Sequence, residues 1–256
     1  MNNIPGAMAE SVAVEICVDS VESCIAAQAG GATRVELCAN LFEGGTTPSA
    51  GIIREARKNI SIGLHVILRP RGGDFCYSDS EFESICYDLQ LAKDLGADGV
   101  VIGVLQPDGH IDKKRMARLV ELARPMKVTL HRAFDMTPNP LQALEDSIAL
   151  GIDLILTSGQ ERSAVEGIPL LKQLVQVAQG RIRIMAGGGV SERNVRRILQ
   201  ETGVQDVHLS GRRRVESSME YRQEHVFMGG DLRLPEYTRF VADAEKIAKL
   251  TGLIAD

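Results

Sequence analysis

The sequence has no tryptophan and only ten other aromatic residues, four tyrosines and six phenylalanines, in 256. Flat side chains on which bases could stack are therefore scarce. The net charge is −5, and the 29 lysines and arginines are spread along the chain, with Arg212-Arg213-Arg214 the densest run. No basic field for a phosphate backbone exists, so a nucleic-acid partner is not expected. No apolar run is long enough for a helix to cross a bilayer, so no membrane partner is expected either. Residues 1–11 lack a basic segment leading into an apolar one, so they read as a flexible N-terminal tail rather than a secretory signal. Residues 12–256 then form one domain. The five cysteines are an odd number with no CxxC pair, which fits reduced thiols and a cytoplasmic location.

Several chemistries lose their key group. No lysine stands at the C-terminal end of an expected strand, so a Schiff-base aldolase lacks its nucleophile. Neither HExxH nor a His-x-His after the first strand occurs, which removes common zinc hydrolase layouts. GxSxG is missing, and so is a GxGxxG after the first strand.

What is present is an alternation of short apolar runs with helical patterns from end to end. Strands are expected at Val12–Cys17, Arg34–Leu37, Leu64–Leu68, Gly99–Val104, Lys127–Leu130, Leu154–Thr157, Arg183–Ala186 and Asp206–Leu209. Runs such as Val100-Val101-Ile102 suit parallel strands covered on both faces. Between them, Phe82, Ile85, Cys86, Leu89 and Ala92 keep helical spacing behind the cap candidates Ser78 and Ser80. Asn139-Pro140 offers an N-cap and a proline at the first helical position. Ser191 is a cap candidate for the helix carrying Val195, Ile198 and Leu199. Glycines 31, 96, 151 and 203 each stand between a helix and the next strand, as helix terminators do. Eight such units in this length predict an α/β fold, a single-domain TIM (β/α)8 barrel. The longest irregular stretch is expected at 211–235, ahead of a last helix over about Tyr237–Leu250.

Barrel sites form at the C-terminal strand ends and the loops after them. Strands one and two end almost identically, Val14-Glu15-Ile16-Cys17 and Val35-Glu36-Leu37-Cys38, each Glu sharing a face with its Cys. Cys17 and Cys38 close adjacent strands. They could hold a soft ion such as Cu(I), form a disulfide, or be two small buried hydrophobes. Glu15 and Glu36, if inward, need partners, and Arg69, Arg71, His131 and Arg132 are the expected supply. That arrangement would be either functional or a structural ion network. Arg69-Pro70-Arg71-Gly72-Gly73-Asp74 places two anion-binding side chains and two permissive glycines at a strand end. His131, with Asp135 to orient it, is either a general acid–base or a bonded core histidine; Glu36 is the other proton carrier. Gly187-Gly188-Gly189 and Ser210-Gly211 stand where barrels often hold phosphate, and with Arg69, Arg71 and Arg132 they make the expected anion-binding set.

These stretches resemble the CutC copper homeostasis family. The likeness lies in Val14–Cys17, in Val35–Cys38 with Glu43-Gly44-Gly45-Thr46-Thr47-Pro48-Ser49, in Arg69–Phe75 with Tyr77-Ser78-Asp79, in His131–Asp135, in Thr157-Ser158-Gly159 and in Ala186–Val190. It covers nearly all of residues 12–250. Animal-type members resemble it most, because Cys17 and Cys38 match positions proposed there as Cu(I) ligands. The resemblance implies a TIM barrel in the cytoplasm, copper as partner, no organic cofactor, and a homo-oligomer, dimer or tetramer. It implies no settled reaction. Two readings follow: a Cu(I)-binding protein that buffers or delivers the ion, and an enzyme acting on a small phosphorylated or carboxylated anion, with copper incidental.

Overall fold

The computed structural model describes residues 12–223, 225–226 and 238–255; the expected tail at 1–11 lies outside them. Eight parallel strands close into a barrel: β1 (Ala13–Val18), β2 (Arg34–Leu37), β3 (Gly63–Ile67), β4 (Gly99–Ile102), β5 (Lys127–Leu130), β6 (Leu154–Thr157), β7 (Arg183–Ala186) and β8 (Asp206–Leu209). β8 pairs back onto β1, setting Glu15 opposite His208, and β2 sets Arg34 opposite Glu15. Helices α1 (Val21–Ala29), α2 (Ala50–Asn59), α3 (Asp79–Asp94), α4 (Lys113–Ala123), α5 (Pro140–Ala149), α6 (Ile168–Ala178), α7 (Val195–Thr202) and α8 (Ala244–Ala255) cover the outside. None of these helices is long and apolar enough to cross a membrane.

The two faces of the strands divide the work. Outward residues such as Val14, Ile16, Val35, Leu37, Leu64, Val66, Val100, Ile102, Val128, Leu130, Ile155 and Val207 join the helices in one continuous core. Burying each such side chain contributes about 1.5–3 kcal/mol. The inward residues are largely polar: Glu15, Arg34, Glu36, His65, Thr129, His131, Asp206 and His208. Arg34 on β2 reaches across the interior to the Met185 sulfur on β7, 2.9 Å away. Space for these groups comes from inward glycines. A Cβ on Gly99 would meet the His65 ring at 2.6 Å, and one on Gly103 would meet the His131 ring at 2.4 Å. Two imidazoles therefore lie over strand β4 and its extension because that strand has no side chains there.

Local signals mostly do as expected. Ser78 and Glu81 form a reciprocal capping box on α3, and Asn139 caps α5 with Pro140 in the first turn. Glycines 31, 96, 151 and 203 all adopt positive φ at helix ends. Ser80 lies inside α3 rather than capping it. Ser191 does not cap α7 with its side chain; Asn194 holds the N-cap position and its Oδ1 accepts from the Ser191 amide. Where it is described, the stretch from 211 is also less irregular than expected; 224 and 227–237 lie outside the described residues. β9 (Arg212–Glu216) pairs antiparallel with β10 (Thr238–Ala242), and the last helix starts at Ala244 instead of Tyr237. Arginine-rich β9 lies on the surface, so it has no apolar pattern to betray it.

If the inward glycines make room for the imidazoles, Gly103→Ala should lower stability by about 1–3 kcal/mol through overpacking. Gly252→Ala, on α8 with no atom within 4 Å of its Cβ, should be neutral or stabilising by up to about 1 kcal/mol. Urea denaturation measures both; a Gly103→Ala protein as stable as the parent would contradict the packing account.

A candidate thiol and anion site at the barrel mouth

At the centre of the interior lies Glu15, completely buried. It accepts from Arg34 Nε at 2.6 Å and pairs with His208 Nδ1 at 2.8 Å and His65 Nδ1 at 3.5 Å. Arg34 continues to Asp206 at 2.9 Å, and Asp206 to Arg183 at 2.6 Å. Burial alone would raise the Glu15 carboxyl, but Arg34, His208 and His65 hold it far below the usual carboxylate range. The glutamates thus find partners, though not those the rim arginines suggested. The strand register puts Arg34 and His208 level with Glu15, whereas Arg69 and His131 stand a layer or more above it.

One layer up, Cys17 and Cys38 meet with their sulfurs 3.7 Å apart. Both are free thiols; a disulfide would need about 2.05 Å. The Cys38 sulfur is 3.4 Å from Glu36 Oε2. One ligand atom each from Cys17, Glu36 and Cys38 fall within 4.8 Å of one another. The loop after β2 covers this cluster. It is closed by an Ala39–Thr46 bridge, and a Cβ on Gly45, at φ 93°, would press on Cys38 Sγ at 3.3 Å.

His208 links the two layers, with Nδ1 on Glu15 and Nε2 3.8 Å from Glu36 Oε2. Burial works against its charge, yet the hydrogen bonds to Cys17 and Glu15 and the charge of Cys17 hold it well above the ordinary histidine value. The Cys38 contact, overcoming burial together with His208, holds Cys17 well below a usual thiol. The same contact, with burial, pushes Cys38 up. Burial and the Cys17 charge push Glu36 up. His208 is the main residue that the sequence reading did not single out. Its place two residues after Asp206, on the same inward parity, was the available signal.

A cavity of about 230 Å³ opens above the thiols, lined by Cys17, Glu36, Glu43, Gly44, Ile67, Arg69, Phe75, His131, Arg132, Leu156 and His208. Six of the eight strands or their loops contribute. Arg69, 6% exposed, donates Nη1 to the Glu43 and Gly45 carbonyls and Nη2 to the Gly73 carbonyl. His131 accepts the Ala133 amide on Nδ1 and stacks at 4.8 Å on Phe75. Burial, and then the Arg69 charge, lowers His131 to about 3.

Other expected site residues are engaged elsewhere. Arg71 is bound to Glu81 at 2.6 Å and Asp74 at 3.1 Å, and clamps its own loop; it does not line the cavity. Asp135 does not orient His131. It accepts from Thr157 Oγ1, Ser158, the Gln160 amide and Arg132 Nε, and so pins the β6 loop. Arg132 also donates to Ser158 Oγ at 2.8 Å. Gly187, Gly188 and Gly189 turn toward that loop: Gly187 donates to the Thr157 carbonyl, and Gly188 accepts from Ala164. Ser210 and Gly211 line a separate groove of about 430 Å³ with Arg193, Arg212 and Lys246. Gly211 is needed for packing, since a Cβ there would meet Ile247 at 2.7 Å. The expected anion set is therefore divided among four places, and only Arg69 and Arg132 reach the cavity above the thiols.

The CutC family model matches residues 12–213. The chain is 49% identical over 243 residues to the copper homeostasis protein cutC homolog of Mus musculus, covering 95% of this chain and 89% of that protein. It is 52% identical over 234 residues to a family protein CutC of Bacteroides fragilis, covering 91% and 93%. A crystal structure of CutC from Streptococcus agalactiae superposes with a TM-score of 0.75 at 36% identity, covering 78% of this chain and 98% of that one.

The low value for His131 has a consequence for stability. Between pH 6.5 and about 3 the unfolded chain holds the His131 proton and the native protein does not. Stability from this group is therefore complete above pH 6.5 and is lost on acidification, at up to about 1.4 kcal/mol per pH unit. His131→Asn, which keeps an acceptor for the Ala133 amide, should flatten the decline. Chemical denaturation at a series of pH values measures it; an equal slope in both proteins would contradict the assignment.

Proposed function

Because the chain belongs to the CutC family, we propose that it works in copper homeostasis by binding Cu(I) between Cys17 and Cys38, as a cytoplasmic buffer or carrier. The observation that carries this is the pair of free sulfurs 3.7 Å apart with Glu36 beside them. Thiolates are the ligands that select Cu(I) over hard cations. With metal–sulfur bonds of about 2.3 Å, as for zinc, two sulfurs at this spacing need little movement to share one ion.

The surroundings suit the product. Two thiolates and one Cu(I) carry a net charge of −1, and the His208 imidazolium stands beside them to balance it. Glu15 holds His208 in place through Nδ1, as outer carboxylates hold the imidazoles around metal centres. Glu36, pushed toward its neutral form, is a third donor atom or a hydrogen-bond donor to thiolate sulfur. The site lies under a loop but opens on a cavity, so an ion has a way in and out.

Anaerobic Cu(I) titration against a competing chelator tests the reading. The parent should take up one ion per chain. Cys17→Ser and Cys38→Ser should each abolish tight binding, and His208→Asn should weaken it by about 10–100-fold. Equal affinity and stoichiometry in the double Cys17→Ser/Cys38→Ser protein would overturn it.

A further inference from the structure

Copper needs only the floor of the cavity. Its wall carries a cation and a neutral donor that the thiols do not use. The Arg69 guanidinium has five N–H groups, and three are taken by backbone carbonyls. The Nε–H is buried without a partner, and one Nη2–H is left over. Among the described residues Arg69 forms no ion pair, although it is buried. His131 accepts on Nδ1, so its proton is on Nε2, and that N–H is also buried and unpartnered. Phe75 touches both, with the Arg69 Cζ 5.2 Å and the His131 ring 4.8 Å from its ring. The other cation at the cavity, Arg132, is matched by Asp135. His208 is held by Glu15 and faces the thiols.

A buried guanidinium with unused donors beside a neutral imidazole N–H is a receptor for an oxyanion. We propose that Arg69 and His131 form a subsite for the carboxylate of a small organic acid. Arg69 has no ion pair among the described residues and so calls for an anion, and the Glu36 and Glu43 carboxyls that share the cavity favour the single charge of a carboxylate over the mostly double charge of a phosphate ester at neutral pH. The two oxygens take the remaining Arg69 donors and the His131 Nε2–H. At about 230 Å³ the cavity is below the range of about 300–1,000 Å³ that holds drug-sized ligands, so the acid has few atoms. Its body lies between Ile67 and Leu156, with its far end toward Cys17 and Glu36. The Tyr77 hydroxyl, buried against Arg69 but outside the cavity lining, is pushed up to about 12 by burial and stays protonated.

The test follows the arginine Nε–H signals of the copper-free, 15N-labelled full chain by NMR. Probes are acetate, pyruvate and lactate, with pyruvamide and lactamide as neutral twins, and inorganic phosphate. The Arg69 signal is identified by its loss in Arg69→Lys. At least one carboxylate should shift it saturably while its amide and phosphate do not. His131→Asn, which preserves the cap on Ala133, should weaken that carboxylate about tenfold or more. The protein is copper-free throughout, so a failed copper titration leaves this result intact. No saturable shift with any carboxylate, an equal shift with the amides, a shift with phosphate alone, or unchanged affinity in His131→Asn would each overturn the proposal.

Discussion

The buried contact of Glu15 with Arg34 and His208 is the constraint on which the rest of the interior depends. A lone carboxylate there would cost many kcal/mol or take up a proton. With Arg34 at 2.6 Å and His208 at 2.8 Å it stays charged, and it fixes both partners. Arg34 ties β2 to β8 through Asp206. His208 is oriented with its second nitrogen toward Glu36 and the thiols. Removing one member would leave the others charged and unpaired, which costs about 3–5 kcal/mol in buried pairs.

This interior does not hold the barrel together by apolar packing. The apolar layers lie between the strands and the helices, where most of the buried leucines, valines and isoleucines are found. Inside, Cys38, Ile67 and Val101 form a small apolar group of their own, with Cys17 and Leu41 packed against it. A fold stabilised by its outer shell can give its centre over to chemistry. Inward glycines such as Gly99 and Gly103 are part of the same division, because they exchange packing for imidazole space.

The barrel was legible in the sequence because parallel buried strands write continuous apolar runs and their helices end on glycine. The thiol pair was legible for a simpler reason: Cys17 and Cys38 end two matching strands with the same parity as Glu15 and Glu36. The partners of the glutamates were not. Which residues come level inside a closed barrel depends on strand stagger, and Arg34 and His208 lie 19 and 193 positions from Glu15. The rim arginines had nearer claims on them. Arg71 is held by Asp74 and Glu81, while Arg69 is held by three carbonyls of its own and the neighbouring loop, which linear reading cannot distinguish. Gly187–Gly189 and Ser210-Gly211 carried the pattern of an anion turn, but the first packs on the β6 loop and the second under α8.

Glu15 keeps His208 charged beside Cys17 and Cys38. The direct measurement is the 15N chemical shift of both His208 nitrogens through a pH series in the copper-free protein. Both nitrogens should be protonated at pH 7 and well above it, with an ordinary titration returning in Glu15→Gln. A His208 that is neutral near pH 7, or one whose titration is unmoved by Glu15→Gln, would contradict it.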